Sequence, residues 1–239
     1  MGRAYQNRKE SMAKTSDMKA KIYSRYGREI YVLAKSAGPD PSGNLLLRNL
    51  IDRAKKDQVP AHVIDRAIEK AKGGSGEDFS PARYEGYGPG GMMAIIECLT
   101  DNPNRTFGDV RLAFTKTDCK IGTQGSVIHQ FDHLAIFIFD FDNEEIPFES
   151  LIESDIDIID IENEDGRISI FVSNTDYFKA KQAILNSCGD LNFEIDEIQY
   201  LPHEYVHITG DDILLFEKFM RMLNELDDVQ HVYHNAKLE

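Results

Sequence analysis

The sequence predicts an α+β protein, in which an N-terminal helical bundle is followed by two α+β domains, one inserted in the other. Three observations predict it. Apolar residues in the first seventy positions recur at helical steps of three and four. Past the glycine-rich stretch at 73–76 the pattern changes to short apolar runs alternating with helical segments, in the order of β-α-β units. The charge divides at the same place: residues 1–75 carry 16 Lys and Arg against 8 Asp and Glu, a formal +8, and the remainder carries −22.

Over 17–35, Ile22, Tyr26, Ile30 and Leu33 fall on one helical face, with Lys19, Lys21, Arg25 and Arg28 largely elsewhere. Gly38-Pro39-Asp40-Pro41 ends that helix, because proline cannot continue it. Leu46, Leu47, Leu50, Ile51 and Ala54 form the stripe of a second helix. A third starts at Pro60, carries Ile64, Ala67, Ile68 and Ala71, and stops at Gly73-Gly74, where a left-handed glycine is expected. Residues 73–78 read as a hinge.

Beyond the hinge, 92–99 reads as a strand, 104–117 as a helix bearing Val110, Leu112 and Phe114, and 126–131 as a strand. A longer pattern follows: strand 134–139, helix 146–153, strand 156–162, a turn at Asp165-Gly166, strand 167–172, helix 175–187 and strand 193–200. Its order, β-α-β-β-α-β, is that of a ferredoxin-like unit. The tail adds strand 205–208, helix 211–226 with Ile213, Phe216, Met220 and Leu223 on one face, and strand 229–233. A lone β-α-β half leaves a sheet edge and face uncovered, so 79–132 is expected to pair with the tail. The expected division is a basic bundle at 1–75, a split domain at 79–132 plus 206–239, and an insertion at 133–205. This makes two ferredoxin-like α+β domains, one inserted in the other.

A chain of 239 residues that is 41% hydrophobic can bury real cores. Its longest apolar runs, near 92–96 and 134–139, fall far short of the roughly 20 residues of a membrane span, so no membrane partner is expected. The first residues are polar and basic rather than the apolar core of a secretory signal, which predicts a cytoplasmic protein. Cys98, Cys119 and Cys188 are odd in number and form no Cys-x-x-Cys pair, so they read as reduced thiols.

His203-Glu204-Tyr205-Val206-His207 matches the zincin string, which holds zinc only on a helix, where histidines four apart share a face. Pro202 and the strand formers around it predict a strand, on which the two histidines stand about 13 Å apart. Gly86-Tyr87-Gly88-Pro89-Gly90-Gly91 fits a dinucleotide string but precedes a strand instead of opening a helix, so it reads as a structural turn. Asp140, Asp142, Glu144 and Glu145 read as a solvated acidic loop, and His231 and His234 have no neighbouring nucleophile in sequence. No enzyme activity, metal or cofactor is expected.

The basic segment carries the functional signal. Arg3, Arg8, Lys9, Lys14, Lys19, Lys21, Arg25 and Arg28 are interleaved with Tyr5, Tyr23 and Tyr26. Long cations neutralise phosphates and release counterions, and tyrosines stack on exposed bases, although Tyr26 fits the bundle core better. The expected partner is nucleic acid, either DNA or RNA on the ribosome, with a protein partner for the acidic domains. A metabolite- or protein-binding module is the rival from another class, since ferredoxin-like folds host many functions.

Several motifs together resemble the YebC family: Gly38-Pro39-Asp40-Pro41 through Asn44, the run from Arg83 to Gly91, Asp101-Asn102-Pro103-Asn104-Arg105-Thr106, Gly125-Ser126-Val127, and the run from Asp227 to Asn235. The resemblance runs from about residue 17 to the end. It implies a helical N-terminal domain and two α+β domains, and it adds Arg105 to the candidate nucleic-acid contacts. It also implies one of two activities. Members are described as cytoplasmic DNA-binding transcriptional regulators, and the family includes a mitochondrial translational activator of cytochrome c oxidase and ribosome-acting relatives. The family commonly opens Met-Ala-Gly-His-Ser-Lys-Trp, whereas this chain opens Met1-Gly2-Arg3-Ala4-Tyr5-Gln6 and has no tryptophan, which resembles the YeeN branch. Asp118-Cys119-Lys120-Ile121-Gly122 replaces the family's usual glycine pair, and a local loop change is expected there.

Overall fold

The structure, a computed structural model, describes residues 16–73 and 78–238. In chain order the elements are α1 (Ser16–Ala37), α2 (Leu45–Lys56), α3 (Ala61–Lys72), β1 (Ser80–Tyr87), β2 (Met93–Thr100), α4 (Pro103–Lys116), β3 (Lys120–Ile121), β4 (Phe131–Asp140) and α5 (Glu145–Glu153). There follow β5 (Ile158–Glu164), β6 (Arg167–Ser173), α6 (Tyr177–Cys188), β7 (Phe193–Pro202), β8 (Val206–Ile208), α7 (Asp211–Glu225), β9 (Val229–His234) and β10 (Ala236–Leu238). The described residues form two compact units, one of 16–127 with 205–238 and one of 128–204.

In the first unit, α1 to α3 bury Ile30, Tyr31, Ala34, Leu47, Leu50, Ala54 and Ile64 in a common core. Asn44 fixes the link between α1 and α2. Its side-chain oxygen accepts from the Leu47 amide, capping α2, while its amide donates to the carbonyls of Leu33 and Gly38 at the end of α1. Gly38, at φ +101°, supplies the turn that L side chains avoid. Pro60 caps α3 from outside the helix rather than opening it. Gly73 closes α3 in the right-handed region, φ −68°, and not in the expected left-handed one; Gly74 lies outside the described residues.

The same unit holds a four-stranded antiparallel sheet in the order β3-β1-β2-β9, so β2 and β9, far apart in the chain, are hydrogen-bonded neighbours. Ala94, Ile96, Cys98 and Val229 on the sheet pack with Val110 and Phe114 of α4 and Phe219 and Leu223 of α7. The Phe114 and Phe219 rings meet edge to face at 4.8 Å. The sequence-based expectation of a strand at 126–131 is corrected here: 128–130 is a 3-10 turn, Phe131 opens β4 of the other unit, and the partners of β2 are β1 and β9. The β1 sequence, Ser-Pro-Ala-Arg-Tyr-Glu-Gly-Tyr, has too few apolar residues to read as a strand, yet Ala82 and Tyr84 pack against the core. A short parallel pair, β8 with β10, completes the unit; β10 was not anticipated.

The second unit runs β4-α5-β5-β6-α6-β7, with an antiparallel sheet in the order β5-β6-β4-β7. Asp165 and Gly166, at φ +54° and +87°, form the two-residue turn joining β5 to β6. On β4, Ala135, Phe137 and Phe139 belong to the core shared with α5 and α6, while Leu134, Ile136 and Ile138 cluster with Phe171, Ile195 and Leu201. Both faces of β4 are therefore buried, which is why this strand reads as a continuous apolar run.

Candidate nucleic-acid interface

The cations singled out in the sequence separate by position. Arg3, Arg8, Lys9 and Lys14 lie outside the described residues, and Lys19 is exposed. Lys21, Arg25 and Arg28, four and three residues apart, share one face of α1, and that face is turned inward. Lys21 Nζ donates to the Leu226 carbonyl at 3.0 Å, and Arg25 Nη2 donates to His231 Nδ1 at 3.1 Å. Arg28 Nη1 reaches the Leu99 carbonyl at 3.2 Å and Asp228 Oδ1 at 2.6 Å, with its guanidinium 5.1 Å from the centre of the Phe79 ring. Burial lowers the Lys21 ammonium to a pKa of about 8, against the opposing pull of Asp227.

Arg105 converges on the same carboxylate. It stands in the first turn of α4, where Asn102 caps the helix by accepting from the Arg105 amide. Arg105 Nη2 lies 2.7 Å from Asp228 Oδ2 and 2.8 Å from Asp101 Oδ1. The hydroxyls of Thr106 and Thr100 donate to Asp228 Oδ2 as well, at 2.6 and 3.2 Å. Burial opposes ionisation of Asp228, but the bonds from Thr106, Arg105 and Arg28 outweigh it and hold its pKa at about 2. Asp228 is thus a node that joins the bundle, the start of α4 and the turn before β9. Nothing in its sequence context marked it beyond its place in the Asp227 to Asn235 motif.

Beside this node, His231 lies between Arg25 and Glu29. Arginine can only donate, so His231 Nδ1 accepts and the ring proton sits on Nε2, facing Glu29 Oε1 at 3.4 Å. Burial would raise the Glu29 pKa, but the bond from His231 and the nearby guanidiniums bring it below the usual carboxylate value.

Of the stacking candidates, Tyr5 lies outside the described residues and the other two are engaged. Tyr23 and Tyr26 pack against the bundle core, and the Tyr26 hydroxyl donates to Asp57. Among the described residues, the cations that the bundle turns to solvent are Lys19 and Lys35 on α1, Arg48, Lys55 and Lys56 on α2, and Arg66, Lys70 and Lys72 on α3. Lys55 is paired with Asp52 and Lys72 with Glu69, each one turn away. The spacing of Leu47, Leu50, Ile51 and Ala54, which predicts the buried face of α2, also places Arg48 and Lys55 on its flank and Lys56 opposite it, so these were legible from the same period.

The glycine string is a hairpin turn between β1 and β2. The Gly88 amide donates to the Met92 carbonyl, and Gly90 and Gly91 take φ +64° and +77°. Just before that string, Glu85 is 1% exposed, and its two carboxylate oxygens accept from the amides of Gly125 and Val127, each at 2.9 Å. Two of the stretches that carry the family resemblance are therefore a single clasp. The His203 to His207 string joins the end of β7 to β8 without a helix, and His203 Nε2 lies 2.9 Å from Asp132. Among the described residues no group of three or more His, Cys, Asp or Glu could hold a metal, and no helix is long and apolar enough to cross a membrane.

Comparison with known proteins places this arrangement. A protein from Alcanivorax borkumensis named "Probable transcriptional regulatory protein" is 68% identical over 238 residues, covering all of both chains. One of the same name from Marinobacter nauticus is 65% identical over 238 residues, covering 100% of this chain and 99% of its own. The crystal structure of a conserved hypothetical protein, Aq1575, from Aquifex aeolicus superimposes with a TM-score of 0.75 at 32% identity, over 95% of this chain and 93% of that one. Residues 3–74 match the model of the TACO1/YebC protein N-terminal domain and residues 79–236 that of the TACO1/YebC second and third domain, so the chain belongs to the TACO1/YebC family.

Proposed function

We propose that the protein is a transcriptional regulator of the cytoplasm that binds duplex DNA through its basic N-terminal region. The observation that carries this reading is the charge division, a +8 segment at 1–75 joined to a −22 remainder in a chain whose net charge is −14. The names of the full-length relatives support it. Phosphate contacts come from Arg3, Arg8, Lys9, Lys14 and Lys19, with the outward cations of α2 and α3. Lys21, Arg25 and Arg28 act by fixing the bundle to the sheet, and Arg105 by fixing the start of α4 to Asp228. The chain works as three parts: the bundle, the split domain of 79–132 with 206–239, and an acidic, ferredoxin-like insertion of 133–205.

A +8 segment releases counterions from ribosomal RNA by the same physics, and the family's translational activator makes the ribosome the second reading. A competition titration near physiological salt separates the two. Labelled full-length protein is offered purified ribosomes and duplex DNA together. Retention on the duplex supports the regulator, and retention on ribosomes overturns it in favour of a translation factor.

A further inference from the structure

Residues 128–204 hold three cations against nineteen carboxylates, a formal charge of −16. All three cations are occupied within the unit: Arg167 by Glu194, Lys181 by Asp196 at 2.5 Å, and Lys179 by the Asp155 carbonyl at 2.9 Å. A surface of this kind repels phosphate and attracts Lys- and Arg-rich segments.

On this body α5 presents an ordered face. Its sequence, Glu-Ile-Pro-Phe-Glu-Ser-Leu-Ile-Glu, buries Pro147 and Leu151. That leaves two outward rows. Glu145, Glu149 and Glu153 follow one another at steps of four, and Phe148 and Ile152, 41% and 55% exposed, lie one turn apart beside them. Single exposed apolar residues are ordinary, but two large ones aligned along a helix and flanked by a row of carboxylates complement a specific chemistry.

We propose that this α5 face docks a cationic amphipathic helix of a partner protein, whose apolar side chains cover Phe148 and Ile152 while its lysines and arginines meet the glutamate row. The charge of the whole unit steers such a segment toward the face, and the apolar pair sets its register. Neither element involves the basic bundle, so the inference stands or falls separately from DNA binding.

The test uses the full chain and a fluorescent helical peptide of lysine and leucine in an amphipathic pattern, followed by anisotropy. Phe148→Ser/Ile152→Ser is expected to weaken binding about tenfold or more without changing the melting temperature, because both side chains are exposed. Glu149→Lys/Glu153→Lys should do the same, while Asp140→Lys/Asp142→Lys, an equal charge change off the helix, should cost less than about threefold. Equal losses from both charge variants, or equal affinity for a peptide with serine in place of leucine, would overturn the proposal, since either would leave only diffuse attraction. So would sedimentation showing that the chain self-associates through Phe148 and Ile152, which would assign the face to a second copy.

Discussion

Arg28 and Asp228, 200 residues apart in the chain, close to 2.6 Å, and through this contact the helical bundle is fastened to the turn before β9. Asp228 is largely buried and also serves Arg105, Thr100 and Thr106, so removing its charge strands several donors at once. Asp228→Asn should destabilise the protein by about 2–3 kcal/mol, the usual effect of breaking a charge-assisted buried network. Denaturant unfolding measures it. Arg28→Ala and Asp228→Asn together should cost less than the sum of the two, the signature of a shared interaction.

His234 gives the stability a pH dependence. It packs edge-on against the Phe216 ring, 5.1 Å between centroids, and its Nδ1 accepts from the Ala236 amide. Burial lowers its pKa from 6.5 to about 4. The unfolded chain therefore takes up a proton near pH 6.5 that the folded chain refuses until about pH 4. This contribution is complete above pH 6.5 and is lost as pH falls through that window, by about 3 kcal/mol in all. His234→Gln should flatten the stability profile between pH 6.5 and 4 in urea melts. The Asp228 contribution is lost only at lower pH, between its usual value of 3.8 and about 2.

Gly86 sits where a side chain has no room. A Cβ there would stand 2.6 Å from Phe114 Cε1 and 2.7 Å from the Lys120 carbonyl oxygen. The ring could turn, but the carbonyl is backbone in the strand paired to β1, so β3 must shift. Gly86→Ala should cost about 1–3 kcal/mol, the range of overpacked sites. The control is Gly125→Ala, where no atom lies within 4 Å and only the positive φ opposes the change. Thermal melts of the two variants should rank Gly86→Ala as the more damaging.

Most elements could be read from period and punctuation because α1 to α3, β2 and β4 to β7 each carry a clean apolar pattern. β1 and the loop at 122–127 could not. β1 forms because Ala82 and Tyr84 find a core built by α4, α7, β2 and β9, and the loop follows because the buried carboxylate of Glu85 gathers its amides. Both depend on contacts across more than thirty positions, which local pattern does not encode. The same limit applies to the interface. Charge sign and spacing pointed to Lys21, Arg25 and Arg28, and the family resemblance to Arg105, but their carboxylate, carbonyl and imidazole partners lie at 99, 226, 228 and 231, with a further one for Arg105 at Asp101.

The central claim, that the basic N-terminal region holds duplex DNA, is tested most directly by the salt dependence of binding. Affinity of the full chain for a duplex is measured across a salt series, beside a variant with Arg3, Arg8, Lys9, Lys14 and Lys19 all changed to alanine. The variant keeps Lys21, Arg25 and Arg28, so the bundle stays fastened to the sheet and loss of folding is not confused with loss of binding. Each lost phosphate contact lowers the slope of log K against log salt by about 0.9, so the account predicts a clearly shallower slope and weaker binding at unchanged melting temperature. An unchanged slope in the folded variant would contradict it.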